Sequence, residues 1–184
     1  MLGLNYLAWL GILVWVVVPA LAWLTTWLIR RRARTALMRG MGVVVGLAIL
    51  SAPWLVSSGV KAYYDRQVRE LCAKDGGVRV YETVPLTTEK FDKWGNVNIP
   101  NKRYAKAADE YYFESEDHYY RHGNPNLLRM NTRVIRKGDG KILGESTRYA
   151  RSGGDLPGPW HGSSYGCPPL PMKLESSIFL KGDE

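Results

Sequence analysis

The stretch RRRARTALMRG, residues 30–40, decides the fold because it places five arginines and no acidic residue between two long apolar runs. The runs, residues 4–29 and 41–60, contain no charged side chain. A helix of about 20 apolar residues crosses the hydrocarbon core of a bilayer, and backbone groups in lipid must be hydrogen-bonded within the chain. We therefore expect residues 1–60 to form a transmembrane helical hairpin.

The position of the positive charge predicts the orientation of this hairpin. The charges belong to Arg30, Arg31, Arg32, Arg34 and Arg39. A cleaved signal peptide has its positive charge before the apolar run; here the arginines follow it, and we expect an uncleaved anchor. Short arginine-rich loops remain cytoplasmic. The sequence thus predicts a two-pass protein of the bacterial inner membrane, with its N-terminus and residues 61–184 in the periplasm.

The net charge of +8 does not by itself indicate a nucleic-acid-binding protein. Five of the 25 basic residues lie in the arginine-rich loop, and the other 20 follow residue 60 together with all 17 acidic residues. The chain beyond residue 60 therefore carries a net charge of only +3. A short loop between membrane helices explains the excess, so we expect contact with membrane lipid and no nucleic-acid partner.

Two cysteines, Cys72 and Cys167, both fall in the part expected outside the cytoplasm. An even number of cysteines in an oxidising compartment favours a disulfide. In the loop-entropy model, closing a loop of about 95 residues contributes on the order of 4 to 5 kcal/mol, although engineered disulfides often deliver less. The alternative is two buried free thiols. No Cys-x-x-Cys pair is present, so thiol–disulfide catalysis is not expected.

Within the membrane segment, two patterns predict helix packing. Gly42-x-x-x-Gly46 lets two helix backbones approach closely, which favours packing against the chain's own first helix over dimerisation. Tryptophans are typical of membrane interfaces. Trp27, beside the arginines, is expected at the inner interface, and Trp15 and Trp23 are expected to face the second helix. Pro19 is expected to kink the first helix.

Residues 61–184 predict an α+β domain with an antiparallel sheet and one or two helices. Helical periodicity continues from the membrane through residues 61–75, and Gly76 and Gly77 supply the left-handed residue that ends many helices. A strand is expected at residues 78–84, with Pro85 as its end. A short helix is expected to follow, with Thr88 as its N-cap.

The clearest β signal lies further along the chain. Residues 110–121, EYYFESEDHYYR, are rich in aromatic residues and predict a strand. Two alternating runs flank Gly138-Asp139-Gly140 and predict a hairpin, with one polar face that includes Asn131. From about residue 155 the chain is rich in proline and glycine. It predicts an extended wrap fastened by Cys167, with residues 174–180, LESSIFL, as a final strand.

Two side-chain clusters invite a chemical interpretation. Asp117, His118 and His122 resemble metal ligands, but a strand would separate the histidines by about 13 Å, and we expect no metal and no cofactor. His161 lies near Ser163 and Ser164 in sequence, yet no Gly-x-Ser-x-Gly motif occurs. We therefore expect no catalytic residues.

A basic face on the predicted hairpin is the candidate interaction surface. It consists of Arg129, Arg133, Arg136, Lys137 and Lys141. Such a face suits anionic headgroups, an acidic envelope polymer or an acidic partner. The competing interpretation is a solvated face that nearby acids neutralise.

Together these features favour an inner-membrane protein whose periplasmic domain binds a partner. The expected role is an accessory or assembly module of an envelope complex, with an envelope protein or a second copy of the chain as partner. An immunity or exclusion protein carried by a mobile element fits the same architecture. The alternative is a membrane-tethered enzyme that acts on a periplasmic or lipid-linked substrate.

Overall fold

The computed structural model describes residues 11–157, 162–169 and 174–182. It combines two long apolar helices with a mainly antiparallel sheet. The chain divides into two compact units. Residues 1–63 and 153–163 form the first, and residues 64–152 and 164–184 form the second.

Two helices make up most of the first unit. A π-helical turn, Leu13–Val17, leads into α1, Val18–Arg32, and a short connection leads to α2, Ala36–Asp75. The wider turn ends two residues before Pro19, which lacks the N–H that an α-helical bond requires. The span Leu13–Arg32, which joins the π-helical turn to α1, and the helix α2 are each long and apolar enough to cross a membrane, by length and composition.

Close packing joins the two helices through the glycines of α2. A Cβ on Gly46 would lie 2.2 Å from Thr26 Oγ1, and one on Gly42 would lie 3.0 Å from Ile29 Cγ2. The Thr26 hydroxyl also donates to the Gly42 carbonyl at 3.2 Å. The glycine pair therefore packs against the first helix of the same chain, the arrangement that its spacing favoured.

The tryptophans of α1 and its preceding turn do not all behave as predicted. Trp15 packs edge-on against Trp54 of α2, with ring centroids 6.3 Å apart. Trp23 was expected to face α2 as well, and this is wrong: its side chain is 69% exposed and stacks on Trp27. The two rings lie one helical turn apart on the outside of α1, because residues i and i+4 share a face. Trp9 lies outside the described residues.

Residues 153–157 belong to the first unit because three contacts hold them against the helices. The Ser57 hydroxyl donates to the Gly154 carbonyl at 2.7 Å, and the Trp15 indole N–H donates to the Pro157 carbonyl at 2.7 Å. Lys61 Nζ lies 2.8 Å from Asp155 Oδ1. We call residues 153–157 the strap. The Pro/Gly-rich region therefore begins as a fastened segment.

The Lys61 hydrogen bond is the main reason that the pKa of Asp155 falls to about 2, and the Ser163 N–H contributes further. Partial desolvation of the carboxylate acts in the opposite direction and is the weaker effect.

In the second unit α2 ends at Asp75, and two glycines serve different purposes there. Gly77 takes the positive φ of +129° that starts the next strand. Gly76 instead allows close approach, since a Cβ on it would lie 2.7 Å from Cys72 Sγ. The predicted continuation of the helix to this point is confirmed.

A five-stranded antiparallel sheet forms the body of the second unit. Its strands are β1 (Gly77–Val80), β3 (Tyr111–Arg121), β4 (Asn126–Arg136), β5 (Ile142–Ser152) and β6 (Ser164–Cys167), and β2 (Val84–Leu86) lies outside it. The order is β1-β5-β4-β3. β1 and β6 pair in succession along the outer side of β5. The predicted strand at 110–121 and the predicted hairpin are both confirmed.

The connecting segments depart from the sequence prediction. The strand expected over residues 78–84 ends at Val80, and Pro85 lies inside β2. β2 pairs in parallel with β7, Phe179–Lys181. A proline fits there because the pairing leaves one side of this short strand free. Residues 174–180 are a short helix, α3 (Leu174–Ile178), leading into β7.

The expected helix after β2 is a single 3₁₀ turn, Thr88–Lys90. Its N-cap is Thr87, and no side-chain hydrogen bond caps it, so the prediction of Thr88 as the cap is wrong. The segment is too short for an α-helix because only three residues adopt helical geometry.

Apolar clusters cover both faces of the sheet. Val134 and Leu143 pack with Ile178 and Phe179 on one face. Leu127 and Tyr149 pack with Val68 of α2 on the other. Leu127 and Val134 are seven residues apart on β4, and alternate residues of a strand point to opposite faces. The last turns of α2 therefore cover the face that contains Leu127.

Candidate functional site

β3 forms one edge of the main sheet, and its second half is open on the outer side. Near its start, the Phe113 N–H donates outward to the Pro100 carbonyl at 3.0 Å. Outward backbone groups recur at every second residue, so those of Ser115 and Asp117 also point away from β4. No described residue makes a backbone hydrogen bond with them. We call residues 115–119 the open edge.

The side chains of the open edge and of the two residues that follow it are exposed. All residues from Ser115 to Arg121 are exposed. The middle of the strand is acidic, at Glu116 and Asp117, and its last part is aromatic at Tyr119 and Tyr120. Tyr119 and Tyr120 remain 41% and 48% exposed. Such an edge offers both main-chain hydrogen bonds and side-chain contacts to an added strand.

A bulge and an anchored arginine end the open edge. The pairing of β3 with β4 shifts between Tyr119 and Arg121. Arg121 donates to the Tyr64 hydroxyl, and its guanidinium carbon lies 4.9 Å from the centroid of the Tyr64 ring. A bulge strengthens the local twist and ends regular pairing. The open edge is therefore short and its far end is fixed to α2.

A polar network under the end of α2 holds the strands that carry this edge. Asp75 accepts from the Tyr149 hydroxyl at 2.7 Å and from Arg129 at 3.1 Å. Earlier on the same helix, Asp65 accepts from Arg151 at 2.5 Å. Tyr149 and Arg151 are almost completely buried. These contacts join α2 to β4 and β5.

Burial is the main cause of the raised pKa of Tyr149, and its hydrogen bond to Asp75 adds to the shift. The phenol therefore stays a neutral donor at physiological pH. Asp75 carries the negative charge that both Tyr149 and Arg129 contact, and a charge-assisted hydrogen bond is stronger than a neutral one.

Sequence reasoning missed this network and the burial of its neighbour Asn131. The polar face predicted for the hairpin was expected to be solvated, yet Asn131 is only 6% exposed, because α2 covers that face. Among the described residues, Asn131 Oδ1 and Arg129 Nε have no hydrogen-bond partner. The available signal was the pair Asp65 and Asp75 on an otherwise amphipathic helix.

The disulfide lies beside this network. The sulfur atoms of Cys72 and Cys167 are 1.98 Å apart, the bonding distance, and the Cα atoms are 5.9 Å apart. Cys72 is in the last turns of α2, and Cys167 ends β6. The bond ties the wrap of the chain to the helix, as the sequence predicted.

The five residues of the predicted basic face occupy two places. Arg129 and Arg133 lie on the side of β4 that faces α2, and Arg133 is 4.0 Å from Glu116. Arg136, Lys137 and Lys141 lie at the hairpin turn. The structure therefore does not bring all five together.

At the hairpin turn the basic residues have partners within the second unit. Arg136 and Lys141 both contact Glu82, and Arg136 also contacts Asp139 at 3.0 Å. Lys137 Nζ donates to the Lys106 carbonyl at 2.7 Å. Hydrogen bonds from Lys141 and then Arg136 lower the pKa of Glu82. The charge at this turn is therefore largely neutralised locally.

The residues that resembled metal ligands lie along β3 and just after it. His118 packs edge-on against Tyr120 at 4.9 Å, and His122 stacks on Tyr119 at 4.7 Å. In the described part of the chain, no group of three or more His, Cys, Asp or Glu residues could hold a metal ion. The histidines thus contribute to the aromatic surface of the edge.

Of the serine and histidine cluster, His161 lies outside the described residues. The Ser163 N–H donates to the Asp155 carboxylate, and its carbonyl accepts from the Gly153 N–H at 2.8 Å. Ser164 begins β6. The contacts of Ser163 therefore stabilise the strap.

No family model, no curated protein and no solved structure matches this chain.

Proposed function

We propose that this protein is a two-pass bacterial inner-membrane protein whose second unit, in the periplasm, binds a partner as an accessory or assembly module of an envelope complex. The observation that carries the binding role is the open edge of β3. An added strand from an envelope protein or from a second copy of the chain would complete the hydrogen bonding of Ser115 and Asp117.

The membrane assignment is supported by the apolar surface of the two helices. Leu47, Leu55 and Val56 of α2 are each at least 60% exposed. Soluble monomers rarely expose contiguous apolar patches larger than a few hundred Å². Lipid chains are the environment that such a surface requires, since each exposed apolar side chain costs free energy in water.

The orientation is supported by the arginines and by the sulfur pair. Arg30, Arg31 and Arg32 end α1, Arg34 lies in the short connection, and Arg39 lies in the first turn of α2. Short arginine-rich connections between membrane helices favour the cytoplasm. This orientation favours a periplasmic second unit, in a compartment where disulfides form and persist. The pairing of Cys72 with Cys167 is compatible with that compartment.

Site-specific photocrosslinking in intact cells tests the binding role. A photoreactive residue at Asp117 is expected to give a defined adduct, because it lies on the open edge. The same residue at Trp94, which is 72% exposed on a loop of the same unit, is the matched control and should give none. The absence of any adduct at Asp117, or equal adducts at both positions, would contradict the proposal.

A proline substitution tests whether the partner binds the backbone of the open edge or its side chains. Asp117→Pro removes the outward N–H, and proline is tolerated on the free side of an edge strand. Asp117→Ala keeps that N–H. We expect the crosslink from a probe at Tyr119 to disappear in Asp117→Pro and to persist in Asp117→Ala. Persistence in both variants would show that the partner does not add to the strand.

A further inference from the structure

The outer side of α1 carries a cleft next to the arginine-rich loop. The cleft has a volume of about 410 Å³ and is lined by Trp23, Thr26, Trp27, Arg30 and Arg31. The rings of Trp23 and Trp27 stack with centroids 6.3 Å apart and planes 16° from parallel. They form an apolar wall that stays exposed, since Trp27 is 40% exposed and Trp23 more so.

Arginine closes one end of this wall. The guanidinium carbon of Arg31 lies 4.6 Å from the centroid of the Trp27 ring, a cation–π distance. Stacking on the ring holds the guanidinium plane in place and leaves its N–H groups free to contact an anion. Thr26 is held by hydrogen bonds to the Ala22 and Gly42 carbonyls. One side of the cleft therefore borders the contact between α1 and α2.

The positive charge at this cleft has no counter-charge in its own unit. The sequence contains no acidic residue before Asp65, and the strap's Asp155 is the one acidic residue of the first unit. Asp155 is paired with Lys61. In the described part of the chain, Arg30 and Arg31 form no ion pair, so the anion that neutralises them must come from outside the first unit.

We propose that the cleft binds the headgroup of an anionic phospholipid. The phosphate would accept hydrogen bonds from Arg30 and Arg31, and arginine suits this role because its planar fork matches phosphate oxygens. The glycerol and the first acyl carbons would pack against Trp23 and Trp27. The inference rests on the proposed membrane insertion. It goes beyond that proposal by naming a lipid class and the residues that select it.

The cleft combines an apolar wall with two adjacent cations, and this combination favours an anionic phospholipid over other ligands. A soluble phosphate would use the arginines and leave the tryptophan rings in contact with water. A zwitterionic lipid would bring no net charge to neutralise the arginines. An anionic lipid satisfies both parts of the cleft, and interfacial tryptophan commonly lies at headgroup depth.

The test uses the full chain purified in detergent with phosphatidylglycerol and phosphatidylcholine, and native mass spectrometry counts the lipids retained. Arg30→Gln/Arg31→Gln removes the two cleft arginines. Arg32→Gln/Arg34→Gln removes the same charge from the same loop, outside the cleft. We expect wild type and the second variant to retain phosphatidylglycerol selectively. The first variant should bind it about thirtyfold more weakly, as expected for losing two arginine contacts near the membrane surface.

Two further arms identify the part of the lipid that is recognised. Trp23→Leu/Trp27→Leu should weaken retention of phosphatidylglycerol, since the wall is then lost. Soluble glycerol phosphate should fail to displace the lipid from wild type. Equal loss in both arginine variants would overturn the proposal, as would retention of both lipids alike or displacement by glycerol phosphate.

Alkaline extraction of membranes distinguishes this failure from failure of the proposed function. A wild-type chain that is released by alkali contradicts membrane insertion and removes the basis of both proposals. A chain that stays in the membrane but shows no lipid selectivity contradicts the lipid site alone.

Discussion

The Tyr149 hydroxyl donates a 2.7 Å hydrogen bond to Asp75 and so joins the middle of β5 to the last residue of α2. The same carboxylate accepts from Arg129 of β4. One acidic side chain at the helix end therefore binds two strands. It fixes the helix on a sheet face that would otherwise expose a polar surface.

This relationship predicts the effect of removing one hydroxyl. Tyr149→Phe should lower the free energy of unfolding by about 2 kcal/mol, because it leaves part of a carboxylate without its donor. Tyr81→Phe is the matched control. Its hydroxyl also donates to a carboxylate, Glu145, at 2.7 Å, but Tyr81 is 56% exposed. Urea unfolding of the detergent-solubilised chain should show a much smaller change for Tyr81→Phe, and equal changes would contradict the account.

Loss of the disulfide should cost more than loss of any single hydrogen bond. Cys72 and Cys167 are 95 residues apart, and closing a loop of this size contributes about 4 to 5 kcal/mol in the loop-entropy model. Cys72→Ser/Cys167→Ser should therefore unfold at markedly lower urea concentration than oxidised wild type. Reduced wild type is the control and should match the double variant. A reducing agent that leaves the wild-type midpoint unchanged would contradict the prediction.

Two glycines of α2 should respond oppositely to the same substitution. Gly46→Ala places a methyl group 2.2 Å from Thr26 Oγ1, whereas a Cβ at Gly59 has nothing within 4 Å. Gly46→Ala should lower the thermal stability of the helix pair. Gly59→Ala should leave it unchanged or raise it, since alanine favours a helix by about 0.5–1 kcal/mol over glycine. Thermal unfolding followed by circular dichroism compares them, and a larger loss for Gly59→Ala would contradict the packing.

The contribution of Asp155 in the strap to the free energy of unfolding should depend on pH only in strongly acidic solution. The pKa of Asp155 falls from 3.8 to about 2 in the folded protein. The unfolded chain therefore binds more protons between these values, and stability rises with pH across that window. The contribution is fully present above about pH 4 and is lost as pH falls through about 2.

Asp155→Asn isolates this contribution. The variant should release the strap at neutral pH, which limited proteolysis near residue 157 detects. The difference between the variant and wild type in cleavage near residue 157 should stay constant from neutral pH down to about pH 4. Below that pH the difference should shrink. A difference that closed near pH 6 instead would show that another group holds the strap.

The elements that were predicted correctly are those that neighbouring residues in the sequence determine. The apolar runs, the extension of α2 and the hairpin around Gly138-Asp139-Gly140 follow from periodicity and turn chemistry. The pairing of β2 with β7 did not follow, because a parallel contact between residues about 95 positions apart leaves no local signal. Pro85 indicated the end of a strand and instead lies within one.

The candidate sites were only partly visible in the sequence for the same reason. The tyrosine-rich strand was predicted, but its place at the edge of the sheet depends on the order of all five strands. The basic residues suggested one surface, whereas Glu82 and Asp75 neutralise them in two places. The tryptophan and arginine cleft was not predicted, because Trp23 was expected to face α2; the spacing of Trp23, Trp27 and Arg31, which share one side of a helix, was the available signal.

We propose that the second unit lies on the far side of the membrane from the arginine-rich loop. Alkaline phosphatase, which folds only in an oxidising compartment, tests this directly when it is fused after Glu184 in one strain and inserted after Gly40 in another. We expect high activity for the fusion at Glu184 and none for the insertion at Gly40. Activity at Gly40 with none at Glu184 would contradict the orientation, the periplasmic disulfide and the envelope role together.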